Sequence, residues 1–316
     1  MKTTQAKGIV AGLTSGALWG FVFVVPKILP QVPATLIACG RFAFYGFVSL
    51  LALAWAWRRG TAFKALVSRK ALRQAALFAL AGNSLYYFFL VLGIRYAGVT
   101  ASSLIIGLLP VTVALAGNRW RVDARLAPSL SLIVAGIVLV NASLFRGGAM
   151  GRAENPGPGV ACLLISLALW TWYAHANARF LKANPRISGS LWASLTGVFT
   201  LVFSPVLVLA LTGPAATVQA FADLSASGGL GSYLLWSAAM GLGASWVALW
   251  FWNITAHTLP TVLSGQLIAS ETVFALLYGF LWERRGPTAL EAGAIILLVS
   301  GVLLAVRALG RPHRRS

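Results

Sequence analysis

The sequence predicts an all-α membrane protein, with ten transmembrane helices arranged as two inverted five-helix repeats around a central cavity. Three observations lead there. Of 316 residues, 59% are hydrophobic and only 10% charged, with a mean hydropathy of +0.82; a soluble domain carries about 25% charged residues. The apolar residues gather into ten runs of roughly 20, the length that crosses a hydrocarbon core of about 30 Å. The two halves also resemble each other. This composition excludes a cytosolic enzyme, a secreted domain and a disordered chain.

The runs fall at 8–29, 34–57, 74–94, 98–118, 126–145, 158–178, 188–211, 232–255, 259–281 and 288–308. The first follows Lys2 and Lys7, as the core of a signal peptide would. It is too long for one and passes through Pro26 directly into the second run, so it reads as an uncleaved span. The longer connections are the basic stretch Arg58–Arg73 and the Gly/Ser-rich stretch Thr212–Gly231. Runs such as LFALAGNSLYYFFLVLGI do not alternate in polarity, which argues against a β-barrel. The expected organisation is a first repeat at 1–147, a second at 156–310 and a basic cytoplasmic tail at 311–316.

There are 25 Lys and Arg against 6 Asp and Glu, a net charge of +19. The basic residues are split into short groups between apolar runs, so they form no continuous face for nucleic acid. They read as topogenic charge: 18 lie on the side of the amino terminus and 6 on the other, which places both termini in the cytoplasm. Cys39 and Cys162 lie within apolar runs and suggest neither a metal site nor a structural disulfide.

The internal similarity is short but ordered. Ser15–Pro26 reads SGALWGFVFVVP and Ser166–Asn177 reads SLALWTWYAHAN, with ALW shared at an offset of 151. Gly82-Asn83-Ser84 matches Gly243-Ala244-Ser245 at an offset of 161, and AGIVLV at 135–140 matches SGVLLA at 300–305. Five spans per half is an odd number, so the second half enters the membrane from the opposite side, as in many secondary transporters.

These features, with Pro33, Arg41 and Phe42 in the pattern P-x7-R-F and ASSLIIGLLPVTVAL around Ala101 and Pro110, resemble the drug/metabolite transporter superfamily, and EamA-type exporters in particular. The resemblance covers the whole chain. It departs after the fourth span, where Asn118-Arg119 replaces a frequent acidic residue, and in the ninth, where Glu271 stands opposite Pro110. It implies a bacterial inner-membrane exporter of small metabolites, and the aromatic-rich spans look most like the aromatic amino-acid exporters.

Signatures of catalysis are missing from the sequence. His175, His257 and His313 are far apart, and no HExxH, CxxC, Walker or GxSxG motif occurs. No cofactor is expected. The expected partners are a small-molecule substrate, the lipid bilayer and protons as a coupling ion; the chain is expected to be a monomer, with a dimer as the alternative.

Ionisable residues within spans are the sharper signal, since each costs roughly 2.5–3.5 kcal/mol at mid-bilayer. Arg41 suits a substrate carboxylate, or else backbone carbonyls of a neighbouring helix. Glu271 suits a substrate amine, a coupled proton or a structural hydrogen bond. His175 suits a proton relay or neutral packing. Helical spacing aligns Ser166, Trp170, Tyr173 and Asn177 on one face, with Trp19 in the matching position of the first span. Trp246, Trp250, Asn253 and His257 repeat the spacing, and Asn83 lies one turn from Tyr86 and Tyr87. Buried indoles and phenols need polar partners, so these faces are expected to line a wet cavity that stacks against flat or apolar ligands. Trp55, Trp57, Trp120, Trp236 and Trp282, near span ends, read as an interfacial belt. Pro26, Pro110 and Pro205 are expected to bend their spans.

The expected function is secondary export of amino acids, aromatic or hydrophobic ones above all. Export of drugs, nucleobases or flat cations is the alternative, followed by a membrane-embedded enzyme.

Overall fold

The computed structural model describes residues 3–59, 68–121, 124–146 and 156–310; the tail at 311–316 lies outside them, as do Lys2, Lys64 and Arg152 of the charge count. Among the described residues every regular element is helical. Eight stretches are long and apolar enough to cross a membrane: Thr3–Phe23, Thr35–Arg58, Arg69–Ala97, Pro156–Ala183, Gly189–Thr212, Leu230–Thr258, Thr261–Glu283 and Ala289–Ala308. A ninth, Ala127–Leu139, is shorter.

The helices are α1 Thr3–Gly20, α2 Ala34–Arg58, α3 Arg69–Phe78, α4 Tyr86–Ile106, α5 Leu109–Gly117, α6 Ala127–Arg146, α7 Pro156–Ala183, α8 Gly189–Thr212, α9 Pro214–Ala226, α10 Leu230–Ala239, α11 Ala248–Thr258, α12 Thr261–Leu267, α13 Ala269–Glu283 and α14 Ala289–Gly310. A π-helical segment, Ala79–Leu85, joins α3 to α4, and another, Met240–Val247, joins α10 to α11.

Three departures from the sequence reading have local causes. The fourth apolar run is not a separate long helix: helix continues through Arg95-Tyr96-Ala97 to Ile106, and the break falls before α5. Pro110 explains it, because its ring clashes with the carbonyl of Ile106 and it has no N–H to donate there. The stretch Thr212–Gly231 contains a helix, α9, opened by Pro214 at its first position after Gly213 at φ +79°. Pro205, by contrast, lies inside α8 without ending it.

The turn from α13 to α14 shows how closely an end can be tied. Arg284 takes φ +49°, its N–H donating to Leu281 O and that of Arg285 to Phe280 O. These are the paired bonds of a Schellman closure. Thr288 and Glu291 form a reciprocal capping box at the start of α14. Arg285 grips both carboxylate oxygens of Glu291 at 2.8 Å, and Glu291 and Glu283 together hold its guanidinium above the ordinary arginine range.

The halves are interleaved rather than placed side by side. α1 packs on α11 and α13, α2 on α8, α4 on α7, α5 on α12 and α7, and α6 on α14. The largest buried cluster draws on both halves, with Trp19, Phe42, Tyr45 and Phe78 meeting Trp170, Tyr173, Phe180, Trp192 and Trp252.

Candidate functional site: a central aromatic cavity

At the centre of this cluster lies a cleft with about 470 Å³ of empty space, of which about 70 Å³ is open to the centres of water molecules. Small-molecule pockets run to about 300–1,000 Å³. One water needs about 10–15 Å³ of such centre space, so the cleft as it stands holds a few waters. Its water-accessible part is well below the range of small-molecule pockets.

Seven segments build its wall. Trp19 comes from α1; Arg41, Phe42 and Tyr45 from α2; Gly82 and Asn83 from the first π segment; Tyr86 and Tyr87 from α4; Trp170 and Tyr173 from α7; and Ser245 and Leu249 from the second π segment and α11. Trp19 and Trp170, the tryptophans of the two ALW motifs, meet edge to face at 6.0 Å. Trp252 joins both, at 5.5 and 5.8 Å. Tyr173 packs edge-on to Trp170 at 5.9 Å, and Phe42 edge-on to Tyr87 at 5.9 Å. Gly82 permits this closeness, since a Cβ there would stand 2.5 Å from the Tyr173 ring.

Polarity is sparse and fixed. Arg41 donates from Nε to Ser245 Oγ at 2.8 Å and from Nη2 to the Ala244 carbonyl at 3.0 Å. The π geometry frees that acceptor: the Ala248 N–H bonds the carbonyls of Gly243 and Ser245, leaving Ala244 O for the guanidinium. Gly241 lets the segment come this near, as a Cβ there would lie 2.7 Å from Tyr45 N and 2.8 Å from Arg41 O. Across the cleft, Asn83 donates to Thr200 Oγ1 at 2.8 Å, and Ser84 shares a proton with Ser204 at 2.9 Å. Tyr45 donates to Ala193 O at 2.6 Å. Ser15 donates to Ala248 O at 3.0 Å and Ser166 to Tyr86 O at 2.9 Å. Each of these serines thus bonds the first residue after a π segment.

The structure therefore brings Trp19, Arg41, Asn83, Tyr86, Tyr87, Trp170 and Tyr173 together around one cavity. It puts five other expected site residues elsewhere. Asn177 is fully buried in a separate network, accepting from Trp192 Nε1 at 2.7 Å and donating to Asn253 at 3.0 Å, while Asn253 donates to Gly189 O. Trp246 turns to α8, donating to Ser194 Oγ at 2.8 Å, and Trp250 packs on it at 5.6 Å. Glu271 stands half-buried in the first turn of α13, within electrostatic range of Arg41 and Tyr86 but outside the wall. His175, also outside the wall, has a buried Nδ1 with no hydrogen-bond partner and lies close to Arg179 and Lys182.

Ser245, Leu249 and Trp252 were not expected at the site. They occupy i, i+4 and i+7, one residue out of phase with the Trp246–Trp250–Asn253 stripe. The stripe read from the sequence lies almost wholly in α11, where the α-helical wheel holds; it could not say which of two neighbouring faces lines the cavity and which packs on α8. The visible signal was the Gly82-Asn83-Ser84 and Gly243-Ala244-Ser245 match, which marks both π segments.

Interleaved apolar helices around a cavity with one fixed cation and an aromatic wall are the architecture of a multi-pass membrane transporter. The EamA-like transporter family matches residues 6–142. The inner membrane protein YtfF of Escherichia coli (strain K12) is 34% identical over 312 residues, covering 95% of each chain. A solved crystal structure superposes with a TM-score of 0.73 at 20% identity over 97% of this chain and 99% of that one, a likeness of fold. The chain belongs to the EamA-like transporter family, within the drug/metabolite transporter superfamily.

Proposed function

We propose that the protein is a secondary carrier of the bacterial inner membrane that exports amino acids, aromatic and hydrophobic ones above all, by alternating access. The carrying observation is the cavity itself: indoles and phenols for an apolar side chain, with Arg41 for a carboxylate. The inner-membrane setting rests on the relative YtfF, and the cytoplasmic placement of both termini on the bias of basic loops.

Alternating access rests on inverted repeats at 1–147 and 156–310. The packing pattern supports this reading, because exchanging each span with its counterpart five later returns the same neighbours: α1 on α11 becomes α7 on α4, and α1 on α13 becomes α7 on α5. The π segments, beginning at Ala79 and Met240, stand at the 161-residue offset of the sequence match. The Ser15 and Ser166 bonds support it in the same way.

Glu271, outside the cavity wall but within electrostatic range of Arg41, is our candidate to receive the substrate amine or to carry a coupled proton, and we take the carrier to be a monomer. A fixed guanidinium in the wall disfavours flat cations as cargo. The test is flux from proteoliposomes loaded with labelled tryptophan, phenylalanine, methionine or threonine. Protein-dependent efflux of the aromatic pair is expected; no flux of any of the four removes the amino-acid reading. With proton coupling, Glu271→Gln abolishes accumulation against a gradient and spares exchange. Unchanged accumulation removes Glu271 from the coupling role.

A further inference from the structure

The polar groups of the site are not spread evenly over its helices. The one charged group of the wall, Arg41, is held by the second π segment, and the chemistry of the guanidinium says why. Arginine presents five N–H donors on a planar group with two forked edges, one formed by Nε and Nη2 and one by Nη1 and Nη2. Here the first edge is occupied, Nε by Ser245 Oγ at 2.8 Å and Nη2 by Ala244 O at 3.0 Å. Two N–H groups on Nη1 and one on Nη2 remain, which is the whole second edge. Arg41 and Ser245 both belong to the cavity wall. The Arg41 Cζ also lies 5.5 Å from the centroid of the Phe42 ring, a further restraint on its plane.

We infer that Ser245 and the Ala244 carbonyl are positioning groups that hold Arg41 with its Nη1/Nη2 edge free, so that the carrier selects cargo bearing a carboxylate or a similar planar oxyanion. This deepens the amino-acid reading and rests on it. A carboxylate on the free edge forms two parallel charge-assisted bonds, the strong and orientation-specific pairing of arginine. The π geometry is what makes the arrangement possible. In an unbroken α-helix Ala244 O would also be engaged by Ala248 N–H; here that N–H goes to the Gly243 and Ser245 carbonyls, which leaves Ala244 O to the guanidinium. π segments of this kind occur frequently at functional sites. Gly241, packed on the backbone of Tyr45 and Arg41, sets the distance between the segment and α2. Ser245 touches no cargo in this scheme; it acts through Arg41. Lysine cannot replace the arginine, because one ammonium cannot fill two acceptors on one edge and present a planar fork on the other.

The experiment compares acid and amine pairs, tryptophan with tryptamine and phenylalanine with phenethylamine, in proteoliposomes of the wild type, Ser245→Ala, Ser245→Thr and Arg41→Lys. The wild type is expected to favour the acid of each pair. Ser245→Ala should raise KM for the acid about tenfold, the loss of one hydrogen bond to a charged group, with kcat little changed. KM for the amine should stay put, so the preference narrows, and Ser245→Thr should restore it. Arg41→Lys should abolish the preference. If Ser245→Ala lowers acid and amine transport alike, the serine is only structural and the positioning role is overturned. A wild type that carries amine as well as acid overturns carboxylate selection while leaving the carrier intact. A wild type that carries neither overturns the amino-acid reading and this inference together.

Discussion

The two π segments occupy matching places in the halves, yet they do different work. Ala79–Leu85 reaches α8 through neutral bonds, Asn83 to Thr200 and Ser84 to Ser204. Met240–Val247 reaches α2 through a cation, with Arg41 bonded to Ala244 O and Ser245. The partner that α2 offers the second segment is Arg41, whereas α8 offers the first Thr200 and Ser204. The two segments are alike in backbone and differ in charge: one is tied by hydroxyls and an amide, the other by a guanidinium. One side of the cavity draws negative charge, and the opposite side offers only hydroxyls and an amide.

The largest effect that would break this comparison is Arg41→Met. It strips the charged side and leaves Ala244 O without its partner in a buried setting. An unpaired buried polar group costs about 1–3 kcal/mol, so the thermal midpoint in detergent should fall by several degrees and carboxylate transport should be lost. A variant that keeps wild-type KM for its amino-acid cargo would show that the asymmetry has no bearing on the ligand.

Gly82→Ala should have the next effect. A Cβ at this position meets the Tyr173 ring at 2.5 Å, so the ring must move, and both residues line the cavity. Overpacking costs typically about 1–3 kcal/mol. The functional consequence should be graded by size: tryptophan flux falls more than that of methionine. Equal loss for both would mean that Tyr173 relaxes away from the cavity rather than into it.

How much of this was legible in the sequence follows from where helical periodicity holds. The apolar runs and the Trp19–Trp170 pair lie in regular α-helix, where a 3.6-residue wheel points side chains correctly. Asn83, Tyr86 and Tyr87 also came out together, spaced within one turn. In α11 one of two adjacent stripes was read as the cavity face, so Trp246 and Trp250 were expected there and Ser245, Leu249 and Trp252 were not. Asn177 shares the face of Trp170 and Tyr173, but a turn further along it meets Trp192 and Asn253, partners on α8 and α11 that one helix cannot reveal. The third–fourth span boundary was set by the polar residue Arg95, although Arg is a good helix former and Pro110 is the real breaker.

The smallest predicted effect sharpens the comparison by probing the neutral side alone. Asn83→Ala removes the donor to Thr200, and Thr200→Val removes the acceptor while keeping its shape. Each neutral hydrogen bond contributes about 0.5–1.5 kcal/mol net. In a double-mutant cycle on unfolding in detergent, the pair should show a coupling energy in that range, since residues sharing a bond are non-additive. The same cycle on Arg41→Met and Ser245→Ala should give a larger coupling, because one partner there is charged and such bonds contribute about 1.5–3 kcal/mol. Transport should respond differently too: the neutral pair should change the rate of turnover for acid and amine cargo alike, and leave the preference between them unmoved. Two cycles of equal size would mean that the guanidinium is solvated like a surface arginine, and the charge difference between the two π segments would then carry no energetic weight.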